Sequence, residues 1–177
     1  VEVYTDNVVE QVMPHNHSHV IARVHMAGEN EVKDAIKAAL DAHDAWSSME
    51  WEARAAIFLK ASELLSGEYR SKINASTMIN QSKTCHQAEI DSACELIDFW
   101  RFNADYARQI YEDLQPPVSP SSMWNSSEVR PLEGFIFSVT PFNFSSIAAN
   151  LPSSAAIMGN TGVWTVSYTH LTLPTKR

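Results

Sequence analysis

Residues 135–164 constrain the fold more than any other stretch of the chain. They open with Phe-Ile-Phe-Ser-Val, an apolar and β-branched run that predicts a buried strand over 135–139. Pro141 has no N–H to offer a sheet ladder and forces a turn after Thr140. Asn143 follows at the carboxyl end of that strand, between Phe142 and Phe144. Ser145 and Ser146 are residue types that cap a helix, and Ile147, Leu151, Ala155 and Met158 give that helix an apolar face. Pro152 stands inside that run and could delay its regular part to about Asn150. Gly159 and Asn160 stop the helix, and Gly162-Val163-Trp164 opens the next strand. Strand–loop–helix–strand units place ligands at the carboxyl ends of their strands. The turn at 140–144 is therefore the candidate site, and the predicted fold class is α/β.

Upstream the pattern is mostly helical. Residues 1–25 alternate loosely, and Val20-Ile21-Ala22-Arg23-Val24 is the best strand segment. His15, His17 and His19 would share one side of such a strand; with no carboxylate or cysteine beside them they read as a polar loop, and no metal is expected. A first helix is predicted from about residue 30 to 47, with Val32, Ala35, Ile36, Ala39 and Leu40 on one face, His43 at its rim and Trp46 closing it. A second, over 52–65, uses Ala55, Ile57, Phe58, Ala61, Leu64 and Leu65 and ends at Gly67. A third, over 68–82, is more polar.

The fourth and longest is predicted over 88–114. One stripe on it is Ala93, Ile97, Trp100, Ala104, Ala107 and Tyr111; a second is Leu96, Phe99, Asn103, Tyr106 and Ile110. Two largely apolar stripes predict burial on more than one side, so Glu95 and Arg101 are not expected to be simply solvated. Glu95 reads either as one half of a structural ion pair or as a functional carboxylate. Pro116, Pro117 and Pro120, with Ser119, Ser121 and Ser122, form the one linker-like break, and no internal repeat is present.

A chain of 177 residues suits one domain or part of a larger one, and 45% hydrophobic content excludes a disordered class. A net charge of −8 argues against non-specific binding to nucleic acid or an anionic membrane, which needs a basic patch. No apolar run approaches the roughly 18 residues of a spanning helix. The N-terminus does not read as a basic-then-apolar signal segment, and it does not begin with Met, which leaves a preceding targeting segment open. Cys85 and Cys94 are neither a CxxC pair nor a disulfide framework; they read as small, half-buried core residues in a reducing compartment.

Several motifs together resemble the aldehyde dehydrogenase superfamily, in which a Pro-aromatic-Asn-aromatic turn stands at this junction. Within it they resemble the branch that oxidises glutamate γ-semialdehyde, the 1-pyrroline-5-carboxylate dehydrogenases. The matching residues are Arg130-Pro131-Leu132-Glu133-Gly134-Phe135, Pro141-Phe142-Asn143-Phe144, Met158-Gly159-Asn160 and Trp164. Upstream, Pro14-His15-Asn16-His17, Phe58-Leu59-Lys60-Ala61, Gln87-Ala88-Glu89-Ile90-Asp91 and the run from Glu95 to Asn103 resemble the same branch. The resemblance covers residues 14–164. Where the branch continues with Lys-Pro-Ser after the Trp, this chain has Thr165, and the tail that follows resembles a scar or an alternative ending.

The resemblance implies an N-terminal helical part of a truncated aldehyde dehydrogenase fold (1–115), the start of a Rossmann-like NAD-binding domain (125–164) and a non-family tail (165–177). It implies that Asn143 donates to the oxyanion of a thiohemiacetal, the competing local reading being a turn-forming Asn. It implies that backbone at Thr140, Pro141 and Phe142, with Trp164, faces the nicotinamide end of NAD, and that Glu95 and Phe144 line the substrate side. The nucleophilic Cys and a general-base Glu of the family lie farther downstream, so the 177 residues alone are expected to be inactive. A homo-oligomer is expected, in the mitochondrial matrix if the source is eukaryotic and in the cytoplasm otherwise. The alternative from another class is a non-catalytic helical binding or assembly module.

Overall fold

The computed structural model describes residues 2–166. It opens with an antiparallel hairpin of β1 (Val8–Met13) and β2 (Asn16–His25), paired from Val8↔His25 to Met13↔Asn16 with register shifts after Gln11 and Val12. Three helices follow: α1 (Glu29–Ser47), α2 (Trp51–Ser66) and α3 (Arg70–Gln81). Gly67 ends α2 as predicted, and Ser82 ends α3 in the left-handed region, with φ 52°.

The predicted fourth helix is one continuous run from residue 85 to 113, interrupted twice. It comprises α4 (Cys85–Ala88), a π turn (Glu89–Cys94), α5 (Glu95–Arg108) and a second π turn (Gln109–Asp113). A reciprocal capping box starts it: Thr84 Oγ1 accepts from the Gln87 N–H, and the Thr84 N–H donates to Gln87 Oε1. Residues 114–134, which include the Pro/Ser-rich break, form no helix or strand.

β3 (Phe135–Thr140), α6 (Ser145–Ile157) and β4 (Thr161–Val166) make the crossover unit. The two strands pair in parallel, Phe135↔Thr161 through Thr140↔Val166. Pro141 does end the ladder, directly after Thr140.

On α6 the structure decides one open point and corrects one expectation. Pro152 sits inside a helix that is regular from Ser145, so the helix is not delayed to Asn150. Ser145 and Ser146 do not cap it: Phe144 occupies the cap position, with no side-chain cap bond, and both serine hydroxyls bond other helices. The face that α6 buries carries Ser146, Ser153 and Ile157, whereas Leu151 is exposed. Small polar residues win that face because α3 and α5 supply hydrogen-bond partners for them: Gln81 Nε2 donates to Ser145 Oγ (3.0 Å), Asn103 Nδ2 to Asn150 Oδ1 (2.8 Å) and Trp100 Nε1 to Ser153 Oγ (3.0 Å).

β3 is corrected in the same way. Its buried side chains are Ser138 and Thr140, while Phe137 and Val139 are exposed. Alternation, and not an apolar run, governs the strand.

The hydrophobic core lies between the long helix, α2 and α6. Ala55, Ala104, Ala107 and Ile157 form one cluster beneath Trp51, Phe58, Tyr111 and Met158, and Leu65, Leu96 and Ile97 form a second with Ile73, Trp100 and Ala149. The first stripe of the long helix is buried or half-buried throughout. The second is not: Tyr106 is exposed, as is Arg101, which had been expected to be shielded. On α1 the inward line narrows to buried Ala39 and half-buried Ile36, His43 and Trp46, with Val32, Ala35 and Leu40 exposed. His43 is the rim residue expected, its Nε2 3.1 Å from the Leu132 carbonyl oxygen. Cys85 is exposed rather than half-buried, and Cys94 is half-buried. Apart from Thr165 and Val166, the tail read at 165–177 lies outside the described residues.

Candidate functional site

The turn Pro141-Phe142-Asn143-Phe144 joins the carboxyl end of β3 to the first residue of α6, and all four residues are half-buried. Three separate elements hold it. From α3, Thr77 Oγ1 lies 3.2 Å from Ser145 Oγ, beside the bond from Gln81. From α5, Glu95 Oε2 accepts from Ser146 Oγ at 2.7 Å. From the α3–α4 connection, Lys83 Nζ donates to the Asn143 main-chain carbonyl at 2.7 Å and sits 3.9 Å above the centre of the Phe144 ring. Lys83 is in turn paired with Asp91 on the π turn, at 2.8 Å, with 14% and 21% of the two side chains exposed.

The π turn matters for this arrangement. It precedes Glu95, which reaches Ser146 at the start of α6, and it carries Asp91, which holds Lys83. Such insertions re-aim side chains and recur at functional sites. The same turn carries a second acidic cluster: Glu89 Oε1 accepts from Arg70 Nε (2.8 Å), Glu89 Oε2 accepts from Asn74, and the Cys94 thiol touches both Glu89 and Arg70. The Arg70 and Asn74 hydrogen bonds hold the Glu89 carboxyl below its ordinary range, and burial pushes the Cys94 thiol up, away from a reactive thiolate.

Each predicted site residue has a definite place. Asn143, Phe144 and Glu95 converge on the start of α6. Glu95 forms no ion pair among the described residues; a serine hydroxyl is its partner. Thr140 is fully buried at the end of β3, where its Oγ1 accepts from Trp164 Nε1 (2.9 Å) and donates to the Thr165 carbonyl (3.3 Å). The Thr140 side chain is thereby committed to the sheet, and only its backbone remains for a ligand. Trp164 lies on β4 opposite Ser138 and is 54% exposed. The bond to Asn143 uses its carbonyl and leaves the side-chain amide uncommitted.

Lys83 and Asp91 were not singled out from the sequence. Lys83 lies in a polar stretch with no periodicity, and its partners are 8 and 60 positions away, so no local signal marks it. Among the described residues no group of three His, Cys, Asp or Glu side chains is placed to hold a metal ion. His15 instead bonds Ser82 Oγ at 2.7 Å, docking the hairpin tip beside Lys83.

A parallel β–α–β unit with a rigid Asn-bearing turn at its carboxyl edge, flanked by a helical layer, belongs to a defined class of protein. The chain belongs to the aldehyde dehydrogenase family, whose model matches residues 3–172. Within that family it is 48% identical over 163 residues to Delta-1-pyrroline-5-carboxylate dehydrogenase of Agaricus bisporus, covering 92% of this chain and 30% of the relative. It is 46% identical over 168 residues to the human mitochondrial Delta-1-pyrroline-5-carboxylate dehydrogenase, covering 95% of this chain and 30% of that one. The crystal structure of the Mycobacterium tuberculosis Delta-pyrroline-5-carboxylate dehydrogenase, also solved with NAD bound, superposes with a TM-score of 0.91 at 46% identity over 96% of this chain and 31% of its own. The chain therefore spans about 30% of the length of the curated relatives it matches.

Proposed function

We propose that this chain is the oxyanion-side portion of an NAD-dependent dehydrogenase that oxidises glutamate γ-semialdehyde, the open form of 1-pyrroline-5-carboxylate, to glutamate in proline breakdown. The observation that carries the reading is Asn143: an amide left uncommitted on a turn held from three sides, in a chain nearly half identical to dehydrogenases of that substrate. An aldehyde attacked by a thiolate gathers negative charge on its oxygen. A neutral amide on a rigid turn stabilises that charge without having to reorganise. Phe144 and Glu95, both at the start of α6, fit a wall for a small polar aldehyde.

NAD, when bound, supplies the hydride acceptor. The backbone of Thr140, Pro141 and Phe142 and the half-exposed Trp164 ring fit contact with its flat nicotinamide end. These residues provide no phosphate cradle, because Gly159 and Gly162 are spent on the helix stop and on β4. Residues 1–115 then serve as the helical flank and 125–164 as the start of the cofactor domain, with the nucleophile and base supplied by later parts of the enzyme. The enzyme is a homo-oligomer, in the mitochondrial matrix if its source is eukaryotic and in the cytoplasm otherwise; relatives from human, mouse and Dictyostelium carry the word mitochondrial in their names.

Asn143→Ala in the complete enzyme tests the reading. It is expected to lower kcat by roughly 10²–10³, about 3–4 kcal/mol in the transition state. NAD affinity and thermal midpoint should move little. A collapsed midpoint, with activity falling only in proportion to the folded fraction, would make Asn143 a structural turn residue and return the chain to an assembly role.

A further inference from the structure

We propose that Lys83 is a positioning residue for the Asn143 turn, and that Asp91 holds it in place. The proposal rests on the reading of Asn143 as the oxyanion donor. An ammonium group has three N–H donors and no acceptor. Lys83 has three partners to match: the Asn143 carbonyl at 2.7 Å, Asp91 Oδ2 at 2.8 Å and the face of the Phe144 ring at 3.9 Å. Its side chain is only 14% exposed, so water does not compete freely for those donors. A charge shielded to this degree persists where its partners compensate it.

The consequence for Asn143 is geometric. A carbonyl held by a charged donor fixes the plane of the peptide that follows Asn143. The ring under the same ammonium fixes the next residue, and Ser145 and Ser146 are already tied to α3 and α5. The torsion left to set is that of the Asn143 side chain, on a backbone that cannot drift. A displacement of about 1 Å at such a group can lower a rate by roughly 10²-fold. Lysine suits the position better than arginine because its charge is compact and can face three directions at once.

The test is a cycle of variants in the complete dehydrogenase, read by kcat, KM for the aldehyde, NAD affinity and thermal midpoint. Lys83→Met is expected to lower kcat by roughly 10- to 100-fold with NAD affinity unchanged. In an Asn143→Ala background the same substitution is expected to cost nothing further, because the group it positions is gone. Should Lys83→Met fail to give soluble enzyme, Asp91→Asn, which keeps the shape of the clamp and removes its anchoring charge, is carried through the same cycle, with a smaller loss expected that again vanishes without Asn143. A loss that multiplies fully onto that of Asn143→Ala overturns the proposal, as does an unchanged kcat in Lys83→Met or, on the second route, in Asp91→Asn. An unchanged kcat in Asn143→Ala itself overturns the underlying reading, and the two failures are thus told apart.

Discussion

Arg54 is the residue whose surroundings least resemble its usual ones. It is 3% exposed and has no ion-pair partner among the described residues. Its guanidinium instead donates Nε to the Ile157 carbonyl (3.1 Å), one terminal nitrogen to Tyr111 Oη (3.0 Å) and the other to the Met49 carbonyl, with the Trp46 and Ser47 carbonyls at 3.5 and 3.4 Å. Carbonyls at the carboxyl ends of α1 and α6 carry partial negative charge, which compensates the buried cation. Gly159, at φ 86°, lets the chain leave α6 closely over it; a Cβ there would meet the guanidinium carbon at 3.4 Å. Arg54→Met keeps the stem but leaves buried acceptors without donors, and it is expected to cost roughly 3 kcal/mol. Denaturant unfolding of the two forms checks this; a difference below about 1 kcal/mol would mean that water replaces the guanidinium.

At the scale of elements, the long helix is the organiser. Its first π turn directs Asp91 toward Lys83, and the α5 turn that follows directs Glu95 toward Ser146, while Glu89 faces α3. The Arg70–Asn74–Glu89 cluster ties α3 to this helix, and it has a pH signature. Glu89 is held below its ordinary value of 4.5 in the folded chain. Its contribution to stability is therefore fully present above that value and is lost as pH falls below it through the folded value, since the unfolded chain takes up the proton first. The gap in thermal midpoint between the unaltered chain and Glu89→Gln is expected to be widest near neutral pH and to narrow below about pH 4.5. A gap that stays constant down to about pH 3.5 would show that hydrogen bonding alone, and not charge, joins the two elements.

For the molecule as a whole, the parallel pair keeps large apolar side chains exposed beside the helices α1 and α6 that pack against it. Ser138 and Thr140 are buried on one side of β3, and Phe137 (60%) and Val139 (50%) are exposed on the other; on β4, Trp164 (54%) and Val166 (49%), opposite Ser138 and Thr140 in the ladder, are exposed as well. Parallel strands ordinarily bury both faces, and large apolar side chains left exposed on such a pair drive association. The 177-residue chain on its own is expected to bind a hydrophobic dye and to associate as concentration rises, and Phe137→Lys should weaken both effects. A monodisperse monomer over a wide concentration range, with no dye signal, would show that these side chains are covered in solution.

The sequence by itself determined the order and type of most elements. Helix periodicity fixed α1, α2 and the long helix, the alternation before Pro14 and after it fixed an extended N-terminus, and Pro141 and Gly159-Asn160 fixed where β3 and α6 end. These are local properties, set by missing donors, backbone strain and side-chain period. The candidate turn stood out because its residues are contiguous and carry the family resemblance: Asn143 and its aromatic neighbours are adjacent in the chain. Only tertiary structure decided which face of α6 is buried, that Glu95 pairs with Ser146 and not with a base, that Thr140 is sealed against Trp164, and that Lys83 reaches across 60 positions to hold Asn143. Those outcomes depend on whether a polar group finds a partner when it leaves water, and the partner is supplied by another element, so no window of sequence contains the answer.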